Sequence, residues 1–284
     1  MTLRLSLASA TARLSAREYL RDQARRDAEL LLLHVLQIDR ATLLAYPDRS
    51  LTPDQLAAYE TAITRRLKHE PIQYITGRQE FFGLQLKVTP ATLIPRPETE
   101  HLVEAVLDRL PHDVPLKVLD IGTGTGAIAL ALAAHLPLAE ITAVDLSVEA
   151  LAVASENAIT HHLAHRIRFL RSDLLAALSQ EVQMQAFDAI VSNPPYVPEG
   201  DRAGLHPQVR DYEPAEALFA GSLGLDIYRR LVPQTYAALR PGGLLALEIG
   251  HGQSEALSNL LADWKNVIIV DDLQKIPRIV LARR

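Results

Sequence analysis

Over residues 1 to about 70 the apolar side chains recur at helical spacing and almost never alternate. Leu30, Leu31, Leu33, Leu36 and Ile38 gather on one face of a helix predicted over 27–38. Two capping boxes, Ser15-Ala16-Arg17-Glu18 and Thr52-Pro53-Asp54-Gln55, mark further helix starts. The second has proline at the first helical position, where its missing N–H costs nothing. After Pro71 the period falls to two. Residues 73–77, then 79–82, Gly83 and 84–88 are alternating β-formers broken at glycine, the pattern of a hairpin joining two domains. Pro95 and Pro97 next impose an extended approach, because each proline excludes helical angles from the residue before it. Glu98 and Glu100 then suit the positive end of a helix running through Leu110. So stiff an approach can set Leu93 or Arg96 beside a site.

From residue 117 onward short apolar runs alternate with helix-period segments. Strands are predicted at 117–121, 140–145, 167–170, 187–191, 244–249, 267–270 and 278–281, with helices at 127–135, 148–159, 226–239 and 253–264. Alternation of this kind requires a parallel sheet with helices on both faces. The expected fold is α/β, a doubly wound, mostly parallel seven-stranded sheet with a small N-terminal helical domain attached through the hairpin. The expected boundaries are 1–72, 73–92 and 93–284. Residues 197–224 lack any period, and a loop that long is read as a functional cover.

The strand at 187–191 stops abruptly in Ser192-Asn193-Pro194-Pro195-Tyr196. Each proline holds the residue before it extended, so Asn193 and Pro194 are stiff. A rigid turn there presents two neutral acceptors, the Asn193 side-chain oxygen and the Pro194 carbonyl, beside the Tyr196 ring. That pair suits a planar NH2 group. The nitrogen of a carboxamide or an exocyclic amino base shares its lone pair with a π system and is a poor nucleophile until held and repolarised. Two acceptors on its two hydrogens orient it and stabilise positive charge developing on it. The alternative is an ordinary loop terminated by prolines.

A second feature lies upstream. The strand at 117–121 runs into Gly122-Thr123-Gly124-Thr125-Gly126, a turn that lets backbone approach a ligand closely and exposes helix N-terminal amides. The next strand ends in Asp145, an acid suited to a ribose diol. Gly122, Gly124 and Ala127 also satisfy the dinucleotide pattern G-x-G-x-x-A, so the turn alone does not separate NAD from another adenosine cofactor. The Asn193 turn does, because a dehydrogenase has no use for an amide clamp.

Composition narrows the field. The 284 residues carry a formal charge of -5, and no basic tract is present, which argues against a free-standing nucleic-acid binder. There is no cysteine, so disulfides and thiolate metal sites are excluded. His161, His162 and His165 have no acid or thiol at ligand spacing and read as a solvated helix end, and Trp264 reads as packing. No uncharged apolar run approaches membrane-spanning length, and a soluble cytoplasmic protein is expected. Residues 1–75 hold eleven Lys and Arg against nine Asp and Glu, a near-neutral helical region that can dock a macromolecule or simply cap the fold.

Asp120 to Gly126, Asp145, Asp173-Leu174 and Asn193 to Tyr196 together resemble the class I S-adenosylmethionine-dependent methyltransferases, with their Rossmann-like fold. More narrowly, Phe81-Phe82-Gly83, Ile94 to Glu100, Ser192 to Tyr196 and Asp211 to Pro214 resemble the peptide chain release factor glutamine N5-methyltransferases. The resemblance covers nearly the whole chain. It implies methyl transfer from S-adenosyl-L-methionine, leaving S-adenosyl-L-homocysteine, to the glutamine of the Gly-Gly-Gln motif in class 1 release factors. It further implies that Gly122, Thr123, Gly124, Thr125, Gly126, Asp145, Asp173, Leu174 and Asn193 bind the cofactor, Leu174 flanking the adenine. Asn193, Pro194, Pro195 and Tyr196 are to hold the glutamine amide, with Asn193, Pro194 and Tyr196 as the catalytic set. Many relatives have an aromatic residue where this chain has Leu174, which implies weaker base stacking here. The implied partner is the release factor, with no direct nucleic-acid contact, no membrane and a monomeric chain. A ribosomal-protein glutamine, an adenine-N6 DNA methyltransferase and an idle cofactor-binding scaffold are the competing readings.

Overall fold

A computed structural model of the chain describes residues 1–178 and 186–284. By its contacts the chain divides into two units, one of Met1–Arg78 with Gly204–Tyr212, the other of Gln79–Ala203 with Glu213–Arg284.

The first unit is helical: α1 (Leu3–Ser15), a 3-10 segment (Glu18–Gln23), α2 (Ala24–Leu36), α3 (Arg40–Ala45), α4 (Pro53–Leu67) and α5 (Ile72–Thr76). The Thr52 capping box forms as expected, with the Gln55 side chain returning to the Thr52 amide at 3.0 Å. The Ser15 box does not form. α1 starts instead at Thr2, and Leu3, Ser6, Ala10 and Leu14 are buried at helical spacing straight through to Ser15. Residues 73–76 are helical rather than extended. The Pro71 carbonyl accepts from the Tyr74 and Ile75 amides, and Gly77, at φ 73°, ends the turn. In α2 the buried face comprises Ala24, Asp27, Ala28, Leu31 and Leu32, whereas Leu30 is exposed.

The expected apolar stripe was offset because one buried position is charged. Asp27 accepts from the Arg66 guanidinium at 2.7 Å, both side chains being almost fully enclosed. Arg66 also donates to the Glu70 carbonyl at 2.9 Å and to Gln208 at 3.4 Å, so its donors are well supplied. Beside it the Tyr59 hydroxyl donates to the Ala28 carbonyl at 2.9 Å.

The second unit begins with the hairpin β1 (Arg78–Phe81) and β2 (Leu84–Lys87) and continues through α6 (Pro97–Leu107). It then alternates β3 (Leu116–Ile121), α7 (Ala127–His135), β4 (Ala139–Asp145), α8 (Val148–Thr160), β5 (Ile167–Arg171) and β6 (Phe187–Ser192). The helix Asp226–Ala238, β7 (Leu239–Glu248), the helix Ser254–Leu260, β8 (Lys265–Asp271) and β9 (Pro277–Arg283) close it. The seven-stranded sheet has the order β5-β4-β3-β6-β7-β9-β8, parallel except for β9, which is antiparallel to both neighbours. Side chains alternate between two cores. Val118, Ile141, Val191 and Ala246 pack with α6 and α7, while Leu119, Val144, Ile190 and Leu245 pack with the helices Asp226–Ala238 and Ser254–Leu260. A sheet covered on both faces needs continuous apolar strands, which is why these runs show no polar alternation.

The order of strands reverses at β3, which has β4 on one side and β6 on the other. Ligands of open α/β sheets sit outside the carboxyl ends of strands at such a point. Register puts Ile121 opposite both Val144 and Ser192, so the residues that follow these three strands leave the sheet side by side. Two side chains lock β3 to β6. Asp188 accepts from the Lys117 amide at 2.6 Å while pairing with Arg240, and Ser192 Oγ donates to the Ile121 carbonyl at 2.6 Å.

Arg66→Met leaves the Asp27 carboxylate enclosed without its partner, and is expected to cost about 3 to 5 kcal/mol in urea denaturation. Adding Asp27→Leu to it should restore most of that loss, since an apolar pair of similar volume carries no desolvation penalty.

Candidate active site

The turn after β3 contains three glycines in the left-handed region: Gly122 at φ 73°, Gly124 at 55° and Gly126 at 82°. They differ in what surrounds them. A Cβ on Gly126 would press on Leu130 Cδ1 at 3.1 Å and Ala154 Cβ at 3.2 Å, so this glycine lets the turn pack onto α7 and α8. A Cβ on Gly122 or Gly124 would meet nothing within 4 Å. Those two edge an open cradle. The amides of Gly122 and Thr123 both donate to the Val144 carbonyl, at 2.8 and 3.0 Å, fastening the turn to the tip of β4.

Asp145 stands at that tip. Its Oδ2 accepts from the Gly124 amide at 2.8 Å and its Oδ1 from the Ser147 amide at 2.9 Å. Burial raises its pKa above the usual carboxylate range, with the Ser147, Gly124 and Leu146 amides opposing. Asp120, one layer down, is wholly buried. Its Oδ2 accepts from the Thr123 hydroxyl at 2.7 Å and its Oδ1 makes no hydrogen bond. Burial pushes its pKa up to about 7, against the Thr123 hydrogen bond. Thr125, also buried, lends its carbonyl to Asn157 Nδ2 at 3.0 Å, and the same Asn157 side chain exchanges two bonds with the Lys87 backbone. The glycine turn is thereby tied to the hairpin.

The residues after β5 sit differently. Asp173 is exposed and ion-paired with Arg230 at 2.6 Å. Leu174 is buried in the second core at φ 51°, an uncommon backbone state for a leucine. Neither touches the glycine turn in the hydrogen-bond network.

Next to the turn, across the β3–β6 boundary, lies the proline-stiffened segment. Pro194 is buried, and Asn193, Pro195 and Tyr196 are half-buried. Asn193 Nδ2 donates to Thr99 Oγ1 at 3.1 Å, Thr99 Oγ1 donates to Glu248 Oε2 at 2.6 Å, and the Tyr196 hydroxyl donates to Glu248 Oε1 at 3.2 Å. Neither Asn193 Oδ1 nor the Pro194 carbonyl accepts a hydrogen bond from the described residues. Glu248 is almost fully enclosed. Burial lifts its pKa to about 7, opposed by the bonds from Thr99 and Tyr196 and the charge of Arg278, and reinforced by Glu98. The Tyr196 hydroxyl is raised by burial and by Glu248.

Other contacts hold this segment from behind. Gln253 Nε2 donates to the Tyr196 carbonyl at 3.0 Å while its Oε1 accepts from the Gly250 amide at 2.9 Å. A Cβ on Gly224 would lie 2.1 Å from the Tyr196 carbonyl oxygen, so only glycine fits there. Val197 pairs with Phe219, and Arg96 pairs with the enclosed Glu213 at 2.5 Å. These last contacts pin part of the segment 197–224 in this unit, while Gly204–Tyr212 belongs to the helical one. Leu93 forms no part of the network, and Arg96 acts through Glu213.

Thr99, Glu248 and Gln253 were absent from the sequence-based candidates. Thr99 lies inside a motif read for its prolines and acids, and Glu248 ends an apolar strand without the preceding glycine turn that singles out Asp145. His161 contacts the Gln85 carbonyl at 2.9 Å, and Trp264 packs edge-on to Tyr236.

A family described as PrmC N-terminal domain matches residues 6–77, and one described as methyltransferase small domain matches residues 99–206. The release factor glutamine methyltransferase of Koribacter versatilis is 48% identical over 284 residues, covering all of this chain and 99% of the relative. That of Moorella thermoacetica is 45% identical over 287 residues, with the same coverage. Among solved structures, the hMettl16 catalytic domain bound to MAT2A 3'UTR hairpin 1 aligns with TM-score 0.58 at 18% identity, over 90% of each chain, a likeness of fold.

The glycines differ in what a side chain would meet. Gly126→Ala should lower the melting temperature most, because its φ and its neighbours both resist a Cβ. Gly124→Ala should cost only the left-handed strain of about 1 to 2 kcal/mol yet weaken nucleoside binding in calorimetry disproportionately. For Asp120 the carboxyl binds its proton more tightly folded, at about 7, than unfolded, near 3.8. Its contribution to stability is therefore greatest below pH 4, declines as pH rises to about 7 and is flat above. Asp120→Asn should remove that part of the slope in denaturation curves taken across this range.

Proposed function

The chain belongs to the release factor glutamine methyltransferase family, and from that premise we propose that it methylates the side-chain amide nitrogen of the glutamine in the Gly-Gly-Gln motif of class 1 release factors, with S-adenosylmethionine as methyl donor. When bound, that cofactor supplies a methyl group on a positively charged sulfur. The open edge at Gly122 and Gly124 and the Asp145 carboxylate beside it fit a nucleoside, the acid facing ribose hydroxyls. Thr123, Thr125 and Gly126 shape the turn, Leu174 flanks the base from the neighbouring strand end, and Asp173 steadies that end through Arg230.

The observation that carries this reading is the state of the Asn193 amide. Its NH2 end is engaged inward by Thr99, which leaves the oxygen, with the Pro194 carbonyl, as a pair of uncommitted acceptors at the strand tip adjoining the glycine turn. Two acceptors bind the two N–H groups of a primary amide and disfavour any group without them. As the nitrogen gains a fourth substituent, its lone pair leaves conjugation and positive charge builds on it. Both oxygens stabilise that charge, and Tyr196 and Pro195 wall the amide. One N–H proton then passes to solvent, restoring a neutral, methylated amide. No strong base is needed, because an N-alkylated amide cation is itself a strong acid.

The reading extends to the setting: a monomer in the cytoplasm acting on the release factor without direct contact to nucleic acid. The absence of a basic tract supports the last point, and no described helix is long and apolar enough to cross a membrane. Incubation with S-adenosylmethionine and a class 1 release factor should add one methyl, located by mass spectrometry on the Gly-Gly-Gln glutamine. Labelling of DNA or of ribosomal protein in its place would overturn the assignment.

Asn193→Ala removes one of the two acceptors and is expected to lower kcat on the order of 100-fold while leaving the Kd for S-adenosylmethionine within a few-fold of wild type. Equal losses in both would place Asn193 in cofactor binding rather than amide activation.

A further inference from the structure

An asparagine amide presents either an oxygen or an NH2 group, and which end faces a ligand depends on what its other end meets. Here that is Thr99 Oγ1, buried on α6. A threonine hydroxyl has one hydrogen. Toward an amide it is a donor or an acceptor according to where that hydrogen goes. It goes to Glu248 Oε2 at 2.6 Å, on the far side from Asn193. Only lone pairs remain for the amide, so Asn193 turns its NH2 inward and its oxygen out.

We propose that Thr99 and Glu248 are positioning residues, forming a directed relay that sets the polarity of the Asn193 side chain and so makes its oxygen the acceptor. The inference rests on the function proposed above and adds the reason Asn193 faces the right way. Glu248 anchors both arms of the site, since its other oxygen accepts from the Tyr196 hydroxyl at 3.2 Å. The backbone at Glu248 is held in turn, its carbonyl accepting from the Tyr228 hydroxyl at 2.6 Å. The relay therefore joins α6, β7 and the segment after β6 through one carboxylate. Its enclosure leaves little water to compete for these bonds, which keeps their direction well defined.

The test exploits the shapes of threonine, valine and serine. Thr99→Val preserves volume and branching but abolishes the hydroxyl, whereas Thr99→Ser keeps the hydroxyl and loses the methyl. If Thr99 serves only packing, valine retains activity and serine loses it. The relay requires the reverse. Thr99→Val should reduce kcat on the order of 10- to 100-fold, as misoriented reacting groups do, with the Kd for S-adenosylmethionine unchanged. Thr99→Ser should remain within a few-fold of wild type. Glu248→Gln should also lower kcat, because its amide puts an N–H against either Thr99 or Tyr196. Melting temperatures of all three variants identify any loss that comes from unfolding. A fully active, folded Thr99→Val enzyme overturns the relay while leaving the proposed reaction standing. A wild-type chain that fails to methylate release factor overturns the reaction itself.

Discussion

The pairing of β3 with β6 carries the rest of this structure. Ile121 and Ser192 are register partners at the point where strand order reverses, and the bond from Ser192 Oγ to the Ile121 carbonyl closes the pair at its tip. At the other end the Asp188 carboxylate grips the Lys117 amide. A slip of one residue would turn every side chain of β6 to the opposite core. It would also carry Asn193 away from the glycine turn. The two halves of the proposed site, the glycine turn and the Asn193 segment, are neighbours because this register is held at both ends.

Around that boundary the site is stiffened by different means on its two sides. The glycine turn depends on backbone, with three positive-φ residues, two amides on one carbonyl and a carboxylate held by two further amides. The segment 193–196 depends on prolines, a buried carboxylate and the close fit of Gly224 against Tyr196. Both place charge or unpaired polarity where solvent is scarce. Glu248 and Asp120 each show the cost of that as a carboxyl lifted to about 7. Such groups persist because neighbours supply hydrogen bonds, and Thr99, Tyr196 and Thr123 do so here.

The helical unit follows a different logic. Its core is small, and a buried ion pair, Asp27 with Arg66, sits among leucines. The attraction within such a pair is largely offset by the desolvation of both charges, whereas removing one partner leaves a costly buried charge. The segment Gly204–Tyr212 contributes to the same unit through Gln208, and through the Tyr212 hydroxyl on the Lys68 carbonyl at 2.8 Å.

From the chain alone one can read the alternating strands and helices, the doubly wound sheet and the two motifs that flank its switch point. The reason is that each is written in local terms: apolar runs of strand length, glycines where φ must be positive, prolines where a strand must stop. Family resemblance in those motifs added the substrate. Contacts between residues far apart in sequence stayed out of reach. Nothing about Thr99 or Glu248 taken singly reveals that they meet across 149 positions, and Asp27 breaks an apolar stripe with no outward sign that Arg66 neutralises it. The Ser15 cap and the strand expected over 73–77 failed for the same reason. A local signal can be satisfied in several ways, and burial of α1 through Leu14 and closure of a turn by Gly77 decided between them. Which end of the Asn193 amide faces outward, the property on which the proposed chemistry turns, follows from where the adjoining Thr99 hydroxyl sends its one hydrogen, and exists only in the folded chain.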